Sequence, residues 1–277
     1  MSVEVTDPDF KRAIELIDAG DCVALAKMLD AQPRLLVDRV PLADDAAGAY
    51  FANPKLIWFV AENPVRNGTL PDNIANVVIA IIEAARKHAV AELKADLDYT
   101  LALVASGRVA RETGAQEPLI QVLTGAGAQT NGAVMAALGH REVAAARCLL
   151  HCGADLSVQL AAGLDQADDV ARLAVQATPA DLQEAMTIAA VNGAEAAIGV
   201  LVRSGANPNL FNPKHLHAHS TPLHQAVDSG SLATVRALVD AGAAIDTRDT
   251  LFGGDARGWA HHLGQKEIGD YLDTLIS

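Results

Sequence analysis

Thr221-Pro222-Leu223-His224-Gln225-Ala226, followed by Gly230, Leu238 and then Gly242-Ala243, decides how the rest of the chain is read. Each residue has a physical role in a short pair of helices. The Thr221 hydroxyl suits a helix cap, Pro222 fits the first helical position, Leu223 points into a core, and Gly230 permits a tight turn between the helices. A unit of this size cannot bury its apolar faces alone. It needs neighbours to stack on.

Gly-Ala pairs supply the repeat. Gly127-Ala128, Gly153-Ala154, Gly205-Ala206 and Gly242-Ala243 lie 26, 52 and 37 residues apart. The interval of 52 is twice 26 and implies a unit in between, with helices at Val158–Leu164 and Asp168–Ala177 and its anchor worn down to Pro179-Ala180. Other pairs are legible on both sides. Phe10–Ile17 goes with Val23–Leu29, Leu56–Ala61 with Ile74–Ala85, Thr100–Ala105 with Pro118–Leu123, and Asp255–His262 with Glu267–Leu275.

The stretch from Thr221 to Ala243 resembles one ankyrin repeat almost position for position, and the chain resembles an ankyrin-repeat protein with degenerate copies. Such a unit normally has about 33 residues. The resemblance therefore implies that the 26-residue units lack most of the β-hairpin finger between repeats, whereas the 37-residue interval carries an extended one at Asn207–Ser220. The expected fold is all-α, an ankyrin-type α-solenoid of about eight helix pairs with short or missing β-hairpin fingers. The expectation is one domain over 1–277, with units near 7–37, 53–88, 99–128, 132–154, 157–180, 181–206, 219–243 and 252–276.

Composition supports the class independently. The chain is 51% hydrophobic but only 4% aromatic, so its core is built from Ala, Val, Leu and Ile, small enough for helices to approach closely. Ala-rich segments such as Val143–Leu150 carry apolar residues at i, i+3 and i+4 and read as helices. At 277 residues a solenoid remains one core, because each repeat touches only its neighbours.

Residues 1–20 show neither a basic start nor an apolar run, so no secretory signal is expected, and no window is long and apolar enough to span a membrane. Three cysteines, two of them (Cys148 and Cys152) one helical turn apart, fit reduced thiols. A cytoplasmic, monomeric protein is expected. The net charge of −13 argues against nucleic acid and anionic membranes; acidic solubility accounts for it, and a protein partner with a basic surface is the sharper reading.

The family resemblance implies partner binding through the finger loops and the concave surface of the first helices. On this chain that implies contacts at His217, Ala218, Ser220, Asp228, Ser229, Val191 and Asn192. A second candidate comes from two swollen turns, 62–72 and 106–114, where a plain repeat needs about two residues. They collect Arg66, Asn67, Arg108, Arg111 and Glu112, with His140 in the next unit, and suggest a cleft for a small anionic ligand or peptide. The competing reading is that the arginines pair with Glu62, Asp72 and Glu112.

His215, His217 and His219 alternate along the extended finger in a spacing able to bring three imidazoles onto a metal. No carboxylate or cysteine at ligand spacing completes such a site, and the only near fourth ligand, His224, is a structural hydrogen-bonding residue in the ankyrin pattern. No metal or cofactor is expected. Motifs for nucleophilic, phosphate-binding and zinc-dependent catalysis are missing from the sequence, and acid/base work would need a pair such as His140 with Glu112 or Glu142. The reading is non-catalytic binding.

Overall fold

The computed structural model describes residues 5–42, 54–62 and 65–275. Residues 53 and 276, which bound two expected repeats, and Asn63 and Pro64 of the first swollen turn lie outside them. Contacts divide the chain into two compact units, 1–137 with 147–154 and 138–146 with 155–277.

In the first unit α1 (Pro8–Asp18) pairs with α2 (Cys22–Ala31), and the short α3 (Arg34–Val37) follows. A 3-10 helix, Leu56–Ala61, pairs with α4 (Ile74–Lys87), and α5 (Leu93–Ala105) with α7 (Gln116–Gly125), after the one-turn α6 (Arg108–Glu112). First helices stack on first helices, α1 on the 3-10 helix and that on α5; second helices stack on second, α2 on α4 and α4 on α7. This double row is what a solenoid needs in order to bury faces that no single pair can cover.

The chain continues through α8 (Thr130–Gly139) and α9 (Val143–His151). In the second unit come α10 (Val158–Gly163) with α11 (Ala167–Ala174), α12 (Pro179–Val191) with α13 (Glu195–Arg203), α14 (Pro222–Ser229) with α15 (Leu232–Asp240), and α16 (Ala256–His262) with α17 (Lys266–Thr274). The same double row recurs. α10, α12, α14 and α16 form one ladder and α11, α13, α15 and α17 the other. Helix α12 is buried on all sides from Ala185 to Val191, and α10 meets it through Ala161, Ala162 and Gly163. A Cβ on Gly163 would come within 2.5 Å of Leu138 Cδ2 and 3.0 Å of Ile188 Cγ2, so only glycine allows that approach.

The Gly-Ala anchors now have a mechanism. Gly127, Gly153, Gly205 and Gly242 all take positive φ, and the N–H of the following alanine returns to the carbonyl five residues earlier, as from Ala243 to Leu238 at 2.9 Å. That is the bond that closes a helix C-terminus, and the alanine is buried beneath it. The fifth pair lacks it. Pro179 is no worn anchor but the first residue of α12, capped by Thr178 with Asp181 completing a capping box; the chain leaves α11 through Gln176-Ala177 with a bond from Ala177 N–H to the carbonyl three residues earlier, of Ala174, at 3.3 Å.

The turns between paired helices obey one rule. Among the described residues each of the eight has a residue in the left-handed region, Gly20, Glu62, Gly114, Arg141, Asp165, Gly193, Gly230 or Gly264, and the turn that begins at Glu62 has a second, Gly68. A side chain there costs about 1–2 kcal/mol. Where Glu62, Arg141 or Asp165 takes this conformation, the side chain is tied into the fold. Glu62 is buried under its own loop, Asp165 accepts the N–H of Ala197 at 2.9 Å, and Arg141 reaches Val191 and Asp228.

Among the described residues the only strand-type pairing is a bridge between Val5 and Leu42. The extended finger is a hydrogen-bonded loop, closed by Asn212 N–H on the Ser220 carbonyl at 2.9 Å.

Candidate functional site

The swollen turns form no free-arginine cleft. Glu62, with its side chain fully shielded, accepts the backbone N–H groups of Arg66 (2.7 Å), Asn67 and Gly68 (3.0 Å), and the Arg66 guanidinium at 2.8 Å. The other side of that guanidinium is bidentate on Asp18 at 2.8 and 2.9 Å, and it lies 4.9 Å over the Phe59 ring. Asn67 also donates to Asp18, at 2.9 Å. The extra length in 62–72 therefore wraps a buried carboxylate. In 106–114 the excess is the helix α6, which places Arg108 2.7 Å and Arg111 3.6 Å from Glu112. His140 is exposed and lies in the other compact unit. All three arginines have carboxylate partners, which removes the observation behind an anion site.

A second buried ionic group surrounds Lys55, which donates to the Val37 carbonyl (2.5 Å) and Glu92 (3.0 Å) near Asp96, whose carboxyl burial pushes upward. The void beside it is only about 10 Å³, too small for a ligand. Burial likewise pushes the Cys148 thiol up to about 12, with Cys152 adding to the shift, which makes it unreactive.

The extended finger places its residues very differently from one another. Leu216 is buried against Gly139, His215 pairs with Glu184 at 2.5 Å, and the His217 imidazole donates to the Gly139 carbonyl. His217 titrates below the usual histidine range, chiefly through desolvation. His219 instead stacks on Trp259, ring centroids 5.9 Å apart. The three imidazoles leave the finger in three directions, and among the described residues no group of three His, Cys, Asp or Glu side chains is arranged to hold a metal.

Two of the expected contact positions are corrected. Val191 and Ser220 are fully buried: Val191 lies within the all-round core of α12, and the Ser220 hydroxyl serves Asn212 and Gln225 inside the base of the finger. Asn192 is half-buried and donates to the Leu138 and Ile188 carbonyls, each at 2.9 Å. His217 and Ala218 are exposed, and Asp228 and Ser229 partly so.

An apolar pocket of the second unit lies beside Asp228. It is built from Asp249, whose carboxylate accepts the N–H groups of Leu251 (2.9 Å), Phe252 (2.6 Å) and Gly254 (2.8 Å) and the Trp259 indole N–H (3.0 Å). This winds 249–254 into a tight turn that forces Leu251 and Phe252 outward, 64% and 75% exposed, and fixes the Trp259 ring. Trp259 also meets His224 edge-on at 5.1 Å. His224 accepts from the Thr221 hydroxyl at Nδ1 (2.8 Å) and donates from Nε2 to the Gly254 carbonyl (3.2 Å); desolvation lowers its pKa, so it is a neutral structural histidine. Between Phe252, Trp259 and Leu263 lies a pocket of about 390 Å³, with His262 and Asp228 also lining it. Asp228 is paired with Arg141, whose Nε donates to the Val191 carbonyl at 3.0 Å.

Phe252, Trp259, Leu263 and Arg141 escape the sequence reading. The available signal was a Trp in a chain with only two of them, and an Arg where other turns have glycine.

The turn carries a pH dependence. Burial alone would raise the Asp249 pKa, but the N–H of Phe252, the indole of Trp259 and the N–H groups of Leu251 and Gly254 outweigh it and hold it well below the usual value. A depressed folded pKa contributes stability above the unfolded value of about 4 and loses it as pH falls further. In a Trp58→Phe background, Trp259 emission is expected to change below about pH 4 and to lose that step in Asp249→Asn.

No helix among the described residues is long and apolar enough to cross a membrane. A search of curated proteins finds no match. A family model described as ankyrin repeats, three copies, matches residues 106–249, just over half of the chain. With stacked helix pairs, Gly-Ala helix ends and left-handed turns on the same period, the chain belongs to the ankyrin-repeat family.

Proposed function

We propose that this chain is a non-catalytic protein-binding module whose partner sits on the first-helix ends and finger loops of the last two repeats. Ankyrin repeats generally mediate protein–protein interaction. The observation that carries the reading here is the open pocket of Phe252, Trp259 and Leu263, with Phe252 75% exposed and held outward by a buried carboxylate rather than left loose. Aromatic side chains in a preformed concavity bury much apolar area at low entropic cost, which is the usual composition of an energetic centre in an interface. The finger's His217, next to Ala218, and the helix end at Asp228 and Ser229 supply the polar groups of the rim. The three free thiols, Cys22, Cys148 and Cys152, support a reducing compartment.

Affinity capture followed by mass spectrometry tests this. Proteins retained by the wild type are expected to be lost with Phe252→Ala and kept with Arg108→Ser/Arg111→Ser. Phe252 is exposed enough that its removal leaves the fold intact, which circular dichroism verifies. Retention of the same proteins by Phe252→Ala would overturn the assignment.

A further inference from the structure

We infer that the pocket between Phe252 and Trp259 receives an arginine side chain from a basic segment of the partner. This rests on the reading of that face as a partner surface and names the chemistry it selects. The pocket walls are almost wholly apolar and aromatic, and the one carboxylate lining it belongs to Asp228. An aromatic face carries negative charge density, and a guanidinium is the cation that lies flat on it while its edge forks onto a carboxylate. Lysine, a strongly hydrated point charge, uses the ring less well.

The surroundings carry the same sign. The compact unit that holds the pocket has 16 acidic residues against 8 basic ones. Of the nearby cations, Arg257 is drawn to Asp273 at 3.6 Å and Arg248 donates to the Gly253 carbonyl at 2.9 Å. Arg141 already sits on Asp228, 39% exposed, anchored by its Nε on Val191. The protein thus contains its own example of the contact: a guanidinium on Asp228 at the edge of the pocket. An incoming arginine shares or displaces that pair from the aromatic side, so Arg141 acts as a competitor that sets the affinity rather than as a binding group.

The probe is a set of three short peptides, acetyl-Gly-Arg-Gly-amide and its citrulline and norleucine counterparts, titrated into the full chain. The Trp259 indole N–H resonance is followed by NMR and assigned with Trp259→Phe. The arginine peptide is expected to shift it with at least about tenfold higher affinity than either neutral peptide, since charge-assisted and cation–π contacts are both lost in the neutral forms. Asp228→Asn is expected to reduce the arginine peptide to the citrulline level. Arg141→Met is expected to raise its affinity several-fold, which a merely structural Arg141 would not do. Added salt should weaken the arginine peptide alone.

Equal binding of the norleucine or citrulline peptide overturns the arginine assignment and leaves partner binding standing, with an apolar anchor in the pocket. If no peptide moves the Trp259 resonance at about 20 mM, weaker than any useful anchor, the arginine inference falls. Partner binding falls with it only if Phe252→Ala also keeps every captured protein.

Discussion

Glu62→Ala is expected to destabilise the first repeats by about 3–5 kcal/mol, the scale for removing one partner of a buried ion pair. The carboxylate is the centre of the 62–72 turn. Its loss leaves the N–H groups of Arg66, Asn67 and Gly68 without their acceptor and leaves the Arg66 guanidinium, only 10% exposed, with Asp18 as its remaining carboxylate. Relief of the left-handed strain at Glu62 does not offset this, because alanine bears the same backbone penalty. Since each repeat contacts only its neighbours, the effect should be read locally: Trp58, in the preceding helix, reports it during denaturant unfolding of a Trp259→Phe background. Glu62→Gln, which keeps an acceptor oxygen, should recover part of the loss. A change below about 1 kcal/mol in the Trp58 transition would show that the turn does not depend on this carboxylate.

Leu223→Ala is the counterpart in the second unit, with an expected loss of about 2–5 kcal/mol. Leu223 is 1% exposed and joins a core with Ala226, Val227, Val235 and Leu238, on a helix packed against both α12 and α16. The neighbours are already small, so little can collapse into the space, and the cavity contribution should add to the lost transfer energy. Here Trp259 is the reporter, in a Trp58→Phe background. A shift within about 0.5 kcal/mol would place Leu223 at a surface and undo the repeat register. Together the two variants test whether destabilisation stays near its origin, as nearest-neighbour stacking requires.

How far each feature was legible depends on whether its cause is local. Helix starts and ends were: Pro222 after Thr221 opens α14, and a Gly-Ala pair marks a helix end because the glycine supplies the positive φ and the alanine the returning N–H. The one misplaced anchor, Pro179-Ala180, failed for a local reason too, since proline at a first helical position signals a start and not an end. Loop length was read correctly as unusual, and of its two readings the structure favours arginines paired with carboxylates, at Glu62 and Glu112, over an open cleft. Length says that a segment must be packed, and the partner doing the packing, Asp18, is 48 residues from Arg66.

The sequence by itself determined the all-α class, the repeat and most of its period, because these follow from caps, turns and the spacing of small apolar residues along the chain. Only the tertiary structure decided which polar residues are free to act. Val191, Ser220 and Arg66 look available in one dimension and are buried or paired in three. Phe252, Trp259 and Asp228 come from separate turns and helices, and they meet because Asp249 gathers the last finger and the first helices stack. Burial and charge pairing are properties of neighbours in space, and stacking repeats chooses those neighbours at separations that no short sequence pattern records.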